Sequence, residues 1–198
     1  HPAAPTALWV AALNNDASLE LSGAIDEKQT YRMVGDPTEG ALVVAAAKAG
    51  AWLEDLNRDY PRIQEVPFDS ERKRMLTLHE LRDPHPDDIS PLHDREKRKW
   101  KAVLVKGAPD LVLNLCTSYQ SMDDRVLPLT EAQRMRILIS NDQMTQDALR
   151  VLGLSYRIIS SVEGINDLKQ LEQELVFVGL IGMIDPPRSE VSPALRKG

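Results

Sequence analysis

The chain has 198 residues, of which 42% are hydrophobic and 27% charged, and its formal net charge is −6. This composition is typical of a globular domain with one hydrophobic core. The negative charge disfavours a general binder of nucleic acid or of anionic membranes, so we expect no nucleic-acid partner. The sequence contains one cysteine, Cys116, which excludes an intrachain disulfide and a cysteine-based zinc cluster and fits a reducing compartment.

The first sixty residues are predicted to be mainly helical. Helices are expected over residues 7–14, 41–49 and 51–59, from the spacing of apolar residues and from an alanine-rich run. A short strand is predicted over residues 31–34, and Gly35 ends it.

The stretch over residues 66–81 predicts two neighbouring strands joined by a charged turn. It begins apolar, passes through a run of basic residues and resumes with alternating apolar and polar residues, which indicates a strand with one buried face. The two strands are predicted over residues 62–68 and 75–81. Phe68 has two interpretations here: a core ring before a solvated turn, or a ring that stacks on a purine base.

The rest of the chain is predicted to combine strands and helices. Strands are expected over residues 102–105, 118–121, 126–129, 151–159 and 175–184, and helices over residues 110–116, 130–149 and 165–173. Consecutive strands without long crossover helices predict an α+β fold, with an antiparallel six- to seven-stranded sheet flanked by helices. The longest apolar run, residues 175–184, is too short to span a bilayer, so we expect no membrane-embedded segment in this chain.

Residues 82–99 are rich in proline and charge and cannot build a core of their own. We expect them to form an exposed loop or a disordered insert that joins two strands. The sequence contains neither a GxxxxGK[ST] nor a GxGxxG loop, and its four histidines have no ligand-like or triad-like spacing. We therefore predict no catalytic residue and no metal site.

Six short motifs occur in a specific order. They read AALNND at residues 11–16, DPTEGAL at 36–42, PFDSERKRM at 67–75, VKGAP at 105–109, LRVL at 149–152, and VG followed by MIDPPR within 178–188. Together they resemble the nucleotide-binding (N) domain of P-type cation-transporting ATPases, most closely the calcium-pump branch. The resemblance covers essentially the whole chain.

The resemblance implies an ATP-binding, cytoplasmic domain of an integral membrane pump. It would present the γ-phosphate of Mg-ATP to a separate phosphorylation domain, so its partners would be ATP and that domain, and the fragment itself would be a monomer. The Asp-Lys-Thr-Gly-Thr segment whose aspartate these pumps phosphorylate is absent from the sequence. We therefore expect the chain to bind ATP without hydrolysing it.

The resemblance also divides the chain. Residues 1–184 would form the N domain, with the insert at 82–99. Residues 185–198 would form a hinge and the start of the segment that returns to the phosphorylation domain. Consecutive prolines stiffen such a hinge, because each fixes φ and removes a backbone donor.

Four of the implied binding residues lie at the end of the predicted strands 62–68 and 102–105 or shortly after it. Phe68 would stack on adenine. Lys106 would hold its ammonium at the floor of the pocket, next to Gly107, whose missing side chain would leave room for the base. The alternative is a lysine that snorkels to the surface beside a turn glycine. Lys73 would lie near the phosphates, unless it is an ordinary surface lysine.

The other implied binding residues lie in the DPTEGAL and LRVL motifs. Glu39 would accept a hydrogen bond from the adenine amino group, or would only stabilise the first turn of a helix. Asp36 would share that contact or form the turn before Pro37. Arg150 would contact the phosphates and bridge to the phosphorylation domain, and Leu152 would form an apolar wall of the base pocket or part of the core.

One position departs from the family pattern. The best-known animal members carry an arginine two residues after the stacking phenylalanine, and Ser70 stands there in this chain. One phosphate contact would then be missing, or would be supplied by Arg72. A second class of function also stays open, namely a pump-derived protein-interaction module with a vestigial pocket, in which residues 82–99 would bind the partner.

Overall fold

The computed structural model of the protein describes residues 3–25, 28–82, 99–163 and 165–184. The helices in these residues are α1 (Ala3–Leu13), α2 (Pro37–Lys48), α3 (Leu53–Asp59), α4 (Pro109–Asn114) and α5 (Glu131–Gln146), and a 3₁₀ helix covers Leu168–Leu171. The strands are β1 (Ser18–Ile25), β2 (Lys28–Val34), β3 (Arg62–Asp69), β4 (Arg74–Glu80), β5 (Lys101–Gly107), β6 (Cys116–Gln120), β7 (Val126–Pro128), β8 (Arg150–Ile159) and β9 (Leu175–Met183). These elements confirm the predicted α+β class. Most of the predicted insert and the whole predicted hinge, residues 83–98 and 185–198, lie outside the described residues.

Seven strands form one sheet in the order β3-β4-β5-β8-β9-β6-β7, and β1 and β2 form a separate antiparallel pair. Within the large sheet the neighbouring strands are antiparallel, except that β6 runs parallel to β9. The sheet is therefore mixed, whereas the sequence predicted an antiparallel one. A parallel pair needs a long connection, and α5 and β8 lie between β6 and β9 along the chain.

The large sheet is covered by buried apolar residues on both faces. One cluster is formed by α1, α2 and the central strands and includes Val10, Leu13, Leu42, Leu104 and Leu154. The second cluster is formed by α4 and the other face of the strands and includes Leu76, Val105, Val112, Leu175 and Phe177. All of residues 75–79 in β4 are buried, and because successive strand residues point to opposite faces, β4 is covered on both faces. The predicted strand with a single buried face is therefore wrong for β4, which is buried on both.

Two elements differ from the sequence-based prediction. No α-helix forms over the described part of residues 165–173, where the structure has only the short 3₁₀ helix. Asp167 is the N-cap of this short helix: its side chain accepts a hydrogen bond from the backbone N–H of Lys169 at 2.9 Å, so the helix begins at Leu168 and not at residue 165. Strand β1 was not predicted at all, because its sequence SLELSGAI has few residues that favour strands. It depends on its pairing with β2.

Several strands bring their ends to one edge of the large sheet. Near this edge Met75 of β4 pairs with Lys106 of β5, and Lys106 pairs with Leu154 of β8. Strand β3 ends at Asp69, beside the start of β4. The first turn of α2 and the link between α1 and β1 are joined here by a hydrogen bond from Asn15 Nδ2 to the backbone oxygen of Glu39, at 2.9 Å. Side chains that are far apart in the sequence therefore meet at this edge.

Candidate functional site

A cleft of about 450 Å³ opens at this edge, and we call it the strand-end cleft. It is lined by Asp16, Asp36, Thr38, Glu39, Phe68, Met75, Lys106, Gly107, Arg150 and Leu152. Seven of these ten residues are candidates from the sequence, namely Asp36, Glu39, Phe68, Lys106, Gly107, Arg150 and Leu152. The eighth candidate, Lys73, is not among the lining residues, and Asp16, Thr38 and Met75 were not predicted.

Phe68 is the exposed aromatic ring of the strand-end cleft. It lies near the end of β3 and is 63% exposed. The interpretation of Phe68 as a core ring is therefore wrong. Burying a phenylalanine side chain contributes about 1.5–3 kcal/mol to stability, and the fold largely forgoes that gain at this position. A flat ring that is open to solvent at the wall of a cleft is free to stack on a planar ligand.

Lys106 provides a buried positive charge at the floor of the strand-end cleft. It is 5% exposed, and its Nζ donates a hydrogen bond to Oε1 of Glu39 at 2.7 Å. Burial lowers the pKa of the Lys106 ammonium below its usual value, and the hydrogen bond and the charge of Glu39 oppose that change. The alternative of a surface lysine is wrong, because the side chain is enclosed and paired.

Glu39 is held from two sides besides its ion pair with Lys106. It lies in the first turn of α2, and its Oε2 accepts a hydrogen bond from the backbone N–H of Asp16 at 3.1 Å. Its own backbone oxygen accepts from Asn15 Nδ2 at 2.9 Å. Each carboxylate oxygen can accept more than one hydrogen bond. Glu39 therefore combines the helix-stabilising position with a fixed acceptor in the cleft.

Asp36 and Arg150 are exposed lining residues of the strand-end cleft, and both contact Thr38. Asp36 is the N-cap of α2, and its Oδ1 accepts from the backbone N–H of Thr38 at 2.8 Å and of Glu39 at 3.3 Å. Burial raises the pKa of the Asp36 carboxyl, but these N–H groups, the Thr38 hydroxyl and the charge of Arg150 outweigh it and lower the pKa. Arg150 donates from Nη1 to the Thr38 hydroxyl at 2.6 Å. The guanidinium is thereby oriented at an exposed position.

Gly107 is required by the packing of the backbone. A Cβ at this position would lie 2.4 Å from the backbone oxygen of Lys73 and 2.5 Å from Cβ of Arg74. The sequence suggested that this glycine leaves room for a base. The structure adds a second reason, because β5 passes too close to the start of β4 for any side chain at position 107. Leu152 is partly buried, lines the cleft and packs against the first core cluster, so both of its interpretations describe its position.

Lys73 and Arg72 lie in the turn between β3 and β4. Lys73 is exposed, has φ +51° and accepts a hydrogen bond at its backbone oxygen from the N–H of Ala108 at 2.9 Å. Arg72 donates from Nη2 to Oε1 of Glu172. The structure does not support Arg72 as a phosphate ligand in place of an arginine at position 70, because its guanidinium is bound to a carboxylate outside the cleft.

Asp16 is a cleft residue that the sequence analysis missed. Its Oδ1 accepts a hydrogen bond from Nη1 of Arg62 at 2.7 Å. The nearby Asn14 donates from Nδ2 to the backbone oxygen of Leu104 at 2.8 Å, which ties the end of α1 to β5. Three successive polar residues directly after an apolar helix were the available signal. Their contacts with distant strands could not be read from the sequence.

The strand-end cleft combines three kinds of group. It has an exposed aromatic ring, two cations and several carboxylate acceptors, which suits a ligand with a flat polar ring and an anionic tail.

Among the described residues no group of three or more His, Cys, Asp or Glu could hold a metal ion. Of the helices in the described ranges, none has the length and hydropathy needed to span a bilayer.

The comparison with known families decides what the chain is. A family model described as "P-type ATPase, cytoplasmic domain N" matches residues 5–190. The chain belongs to this family. This match confirms the N domain that the six motifs predicted. The α+β architecture described above is consistent with the N-domain fold.

Relatives of this N domain are much longer proteins. The chain is 36% identical over 183 residues to a calcium-transporting ATPase of Bacillus cereus, which covers 92% of this chain and 18% of that protein. It is 34% identical over 179 residues to a calcium-transporting ATPase of Lactococcus lactis, covering 90% and 17%. It is 33% identical over 194 residues to a cation-transporting ATPase of Synechocystis, covering 98% and 19%. The chain thus spans less than a fifth of the length of these relatives.

Proposed function

We propose that this N domain binds ATP in the strand-end cleft and presents the γ-phosphate to the phosphorylation domain of a P-type cation pump. The exposed ring of Phe68 is the observation that carries the proposal. It is the one phenylalanine of the chain that the core does not use, since the other, Phe177, is 3% exposed. Stacking on a base is a use that explains its position.

The base would lie between Phe68 and the apolar wall formed by Leu152 and Met75. Lys106 and Glu39 lie at the inner end of this space and are paired at 2.7 Å. A carboxylate acceptor at this place suits the exocyclic amine of adenine and opposes the carbonyl that guanine carries instead. The paired groups would therefore select ATP over GTP.

The phosphates would extend toward the exposed rim of the strand-end cleft. Arg150 lies there with its guanidinium oriented by Thr38, and a planar guanidinium suits bidentate contacts with phosphate oxygens. Lys73 would reach the phosphates from the β3–β4 turn as a flexible point charge. Mg²⁺ would arrive bound to the phosphate oxygens and would neutralise part of their charge.

The pump itself is proposed to be of the calcium type. The relatives in Bacillus cereus and Lactococcus lactis are named calcium-transporting ATPases, whereas the relative in Synechocystis is named for cations in general. The motifs favour the calcium branch. In this proposal the chain would be the cytoplasmic ATP-binding part of an integral membrane protein and would work with its phosphorylation domain.

Titration of the isolated chain with ATP and GTP tests this proposal. Base stacking contributes roughly 1–3 kcal/mol and each exposed phosphate–cation pair about 0–1 kcal/mol, so we expect an ATP Kd of roughly 0.05–1 mM. Calorimetry would give the affinity. NMR titration would show whether the backbone signals of Thr38, Glu39 and Gly107 shift first. Equal affinity for ATP and GTP, or shifts away from the strand-end cleft, would contradict the proposal, and an interaction module with a vestigial pocket predicts no saturation at all.

A further inference from the structure

Glu172 is a buried carboxylate outside the strand-end cleft. Its side chain is 3% exposed. Arg74 donates to Oε2 of Glu172 from Nε at 2.8 Å and from Nη2 at 2.7 Å, and Arg72 donates from Nη2 to Oε1. A buried carboxylate needs charge-assisted hydrogen bonds of this kind to offset its loss of water. The two arginines bind both of its oxygens.

Arg72 lies within the β3–β4 turn, residues 70–73, and Arg74 directly follows it as the first residue of β4. Asp69 Oδ1 accepts a hydrogen bond from the backbone N–H of Arg72 at 2.8 Å. The backbone of Lys73 lies in the left-handed region, with φ +51°, a conformation that non-glycine residues adopt only where the surroundings impose it. Its carbonyl accepts from the N–H of Ala108 at 2.9 Å. The turn is therefore fixed by contacts on both sides.

The β3–β4 turn also determines where Phe68 can be. Phe68 lies two residues before the turn and is largely without core contacts of its own, since it is 63% exposed. An exposed ring gains most from stacking when it is held in place before the ligand arrives, because less freedom is then lost on binding. The position of the ring must be imposed through the backbone of the hairpin.

We propose that Glu172 is a positioning residue for the nucleotide site. By binding Arg72 and Arg74 it fixes the β3–β4 turn, and the turn holds Phe68 against the place of the base. Glu172 lies about a hundred residues further along the chain, at the end of the 3₁₀ helix, so it anchors the hairpin to the segment before β9. This inference rests on the proposed function, because it names a residue that supports the same site.

Hydrogen exchange without nucleotide tests the first half of the inference. The N–H groups of Lys73 and Ala108 bond to the backbone oxygens of Asp69 and Lys73, at 2.6 Å and 2.9 Å, and so report on the turn. Glu172→Gln should raise their exchange rates several-fold. The matched control is Glu174→Gln, the same change two residues away at an exposed carboxylate that pairs with Arg157 at 2.7 Å. It should leave both rates unchanged.

Affinity measurements test the second half. In folded Glu172→Gln protein, the affinity for adenosine should fall by a factor of about five or more, the lower limit of what stacking of one base contributes. Adenosine is the probe because it carries the base but none of the phosphates that Lys73, in the same turn, is proposed to contact. In a Phe68→Ala background, Glu172→Gln should have little further effect on the affinity for adenosine, since the ring that it positions is gone. A purely structural role would weaken binding equally in both backgrounds.

Arg74→Lys is a second variant for the case in which Glu172→Gln does not fold. It keeps the positive charge but loses the fork that binds Oε2, so it should change exchange and affinity in the same direction by smaller factors. Unchanged turn exchange in a folded variant overturns the inference, whatever the nucleotide data show. Additive losses in the Phe68→Ala background overturn it as well. If the wild type does not saturate with ATP, the proposed function fails, and turn exchange then shows separately whether Glu172 fixes the hairpin.

Discussion

At the scale of single residues, the strand-end cleft contains two side chains whose exposure is the opposite of what favours stability. Phe68 is an aromatic ring in solvent, and Lys106 is an ammonium in the interior, where burial lowers its pKa. Placing the phenylalanine inside and the lysine outside would favour stability on both counts. Two such departures in one cleft support the proposal that these side chains serve a ligand.

Phe68→Ala should therefore affect binding and spare stability. We expect it to weaken ATP, ADP and AMP alike, by roughly 1–3 kcal/mol, because the three nucleotides share the base. The midpoint of thermal unfolding should change little, since the ring is 63% exposed and leaves no cavity. Calorimetric titration of protein shown to be folded by circular dichroism measures the first effect, and a thermal scan measures the second.

The chain offers its own control for this experiment, because it has only one other phenylalanine. Phe177 is 3% exposed and belongs to the second core cluster. Phe177→Ala should lower the free energy of unfolding by roughly 3–5 kcal/mol, as large-to-small core changes do. If folded Phe68→Ala binds ATP as the wild type does, the proposed place of the base is wrong.

At the scale of elements, strand β4 combines apolar residues with a fully buried histidine. His79 is completely enclosed, and its Nδ1 lies 2.8 Å from the backbone oxygen of Tyr60, so the ring donates from Nδ1 in its neutral form. Its Nε2 has no hydrogen-bond partner among the described residues. Burial, aided by the charge of Arg62 and opposed by the Tyr60 contact, lowers the pKa of His79 to about 4.

The lowered pKa of His79 predicts that acid lowers the free energy of unfolding of the domain. The unfolded chain takes up a proton on His79 below its ordinary pKa of 6.5, whereas the folded protein does so only below about 4. The stability is therefore complete above pH 6.5 and falls between pH 6.5 and 4, by about 3 kcal/mol at most. Urea unfolding at several pH values in this window should show the decline. A folded His79→Gln variant should lose that part of the slope, and an identical slope in both proteins would contradict the assignment.

The elements also show what the sequence can predict and what it cannot. The ends of strands β3, β4, β5, β8 and β9 were predicted to within two residues, because the apolar pattern of each strand is local. The parallel partner of β6 was not, since strand order depends on contacts between residues far apart in the chain. The helix expected over residues 165–173 was wrong: Asp167 caps a 3₁₀ helix that covers only Leu168–Leu171, and its side chain accepts from the N–H of Lys169.

The residues of the candidate site divide in the same way, into those that a short motif predicts and those that depend on distant contacts. Phe68, Lys106 and Arg150 were found from motifs that each lie on one short segment. Asp16 was missed because its place in the strand-end cleft depends on Arg62, forty-six residues away. For the same reason the sequence suggested a phosphate contact for Arg72, whose true partner Glu172 is a hundred residues away.

At the scale of the whole molecule, the strand-end cleft exists only in the folded chain. Its lining comes from the α1–β1 link, from α2 and from the ends of β3, β4, β5 and β8. Unfolding separates all of these segments, so the unfolded chain has no comparable site. A ligand of the cleft must then stabilise the fold in proportion to its occupancy.

Thermal unfolding with and without nucleotide measures this linkage directly. With an ATP Kd of roughly 0.05–1 mM, about 5 mM ATP should add about 1–2.7 kcal/mol to the free energy of unfolding. For a domain of this size that corresponds to a rise in Tm of roughly 2–4 °C per kcal/mol. GTP at the same concentration should give a smaller rise, which controls for the general effect of added polyanion. Phosphate release should stay at the buffer level, because the sequence lacks the Asp-Lys-Thr-Gly-Thr segment that accepts the phosphoryl group in the pumps it resembles. A rise that is equal for both nucleotides, or release above the buffer level, would contradict an ATP-presenting role.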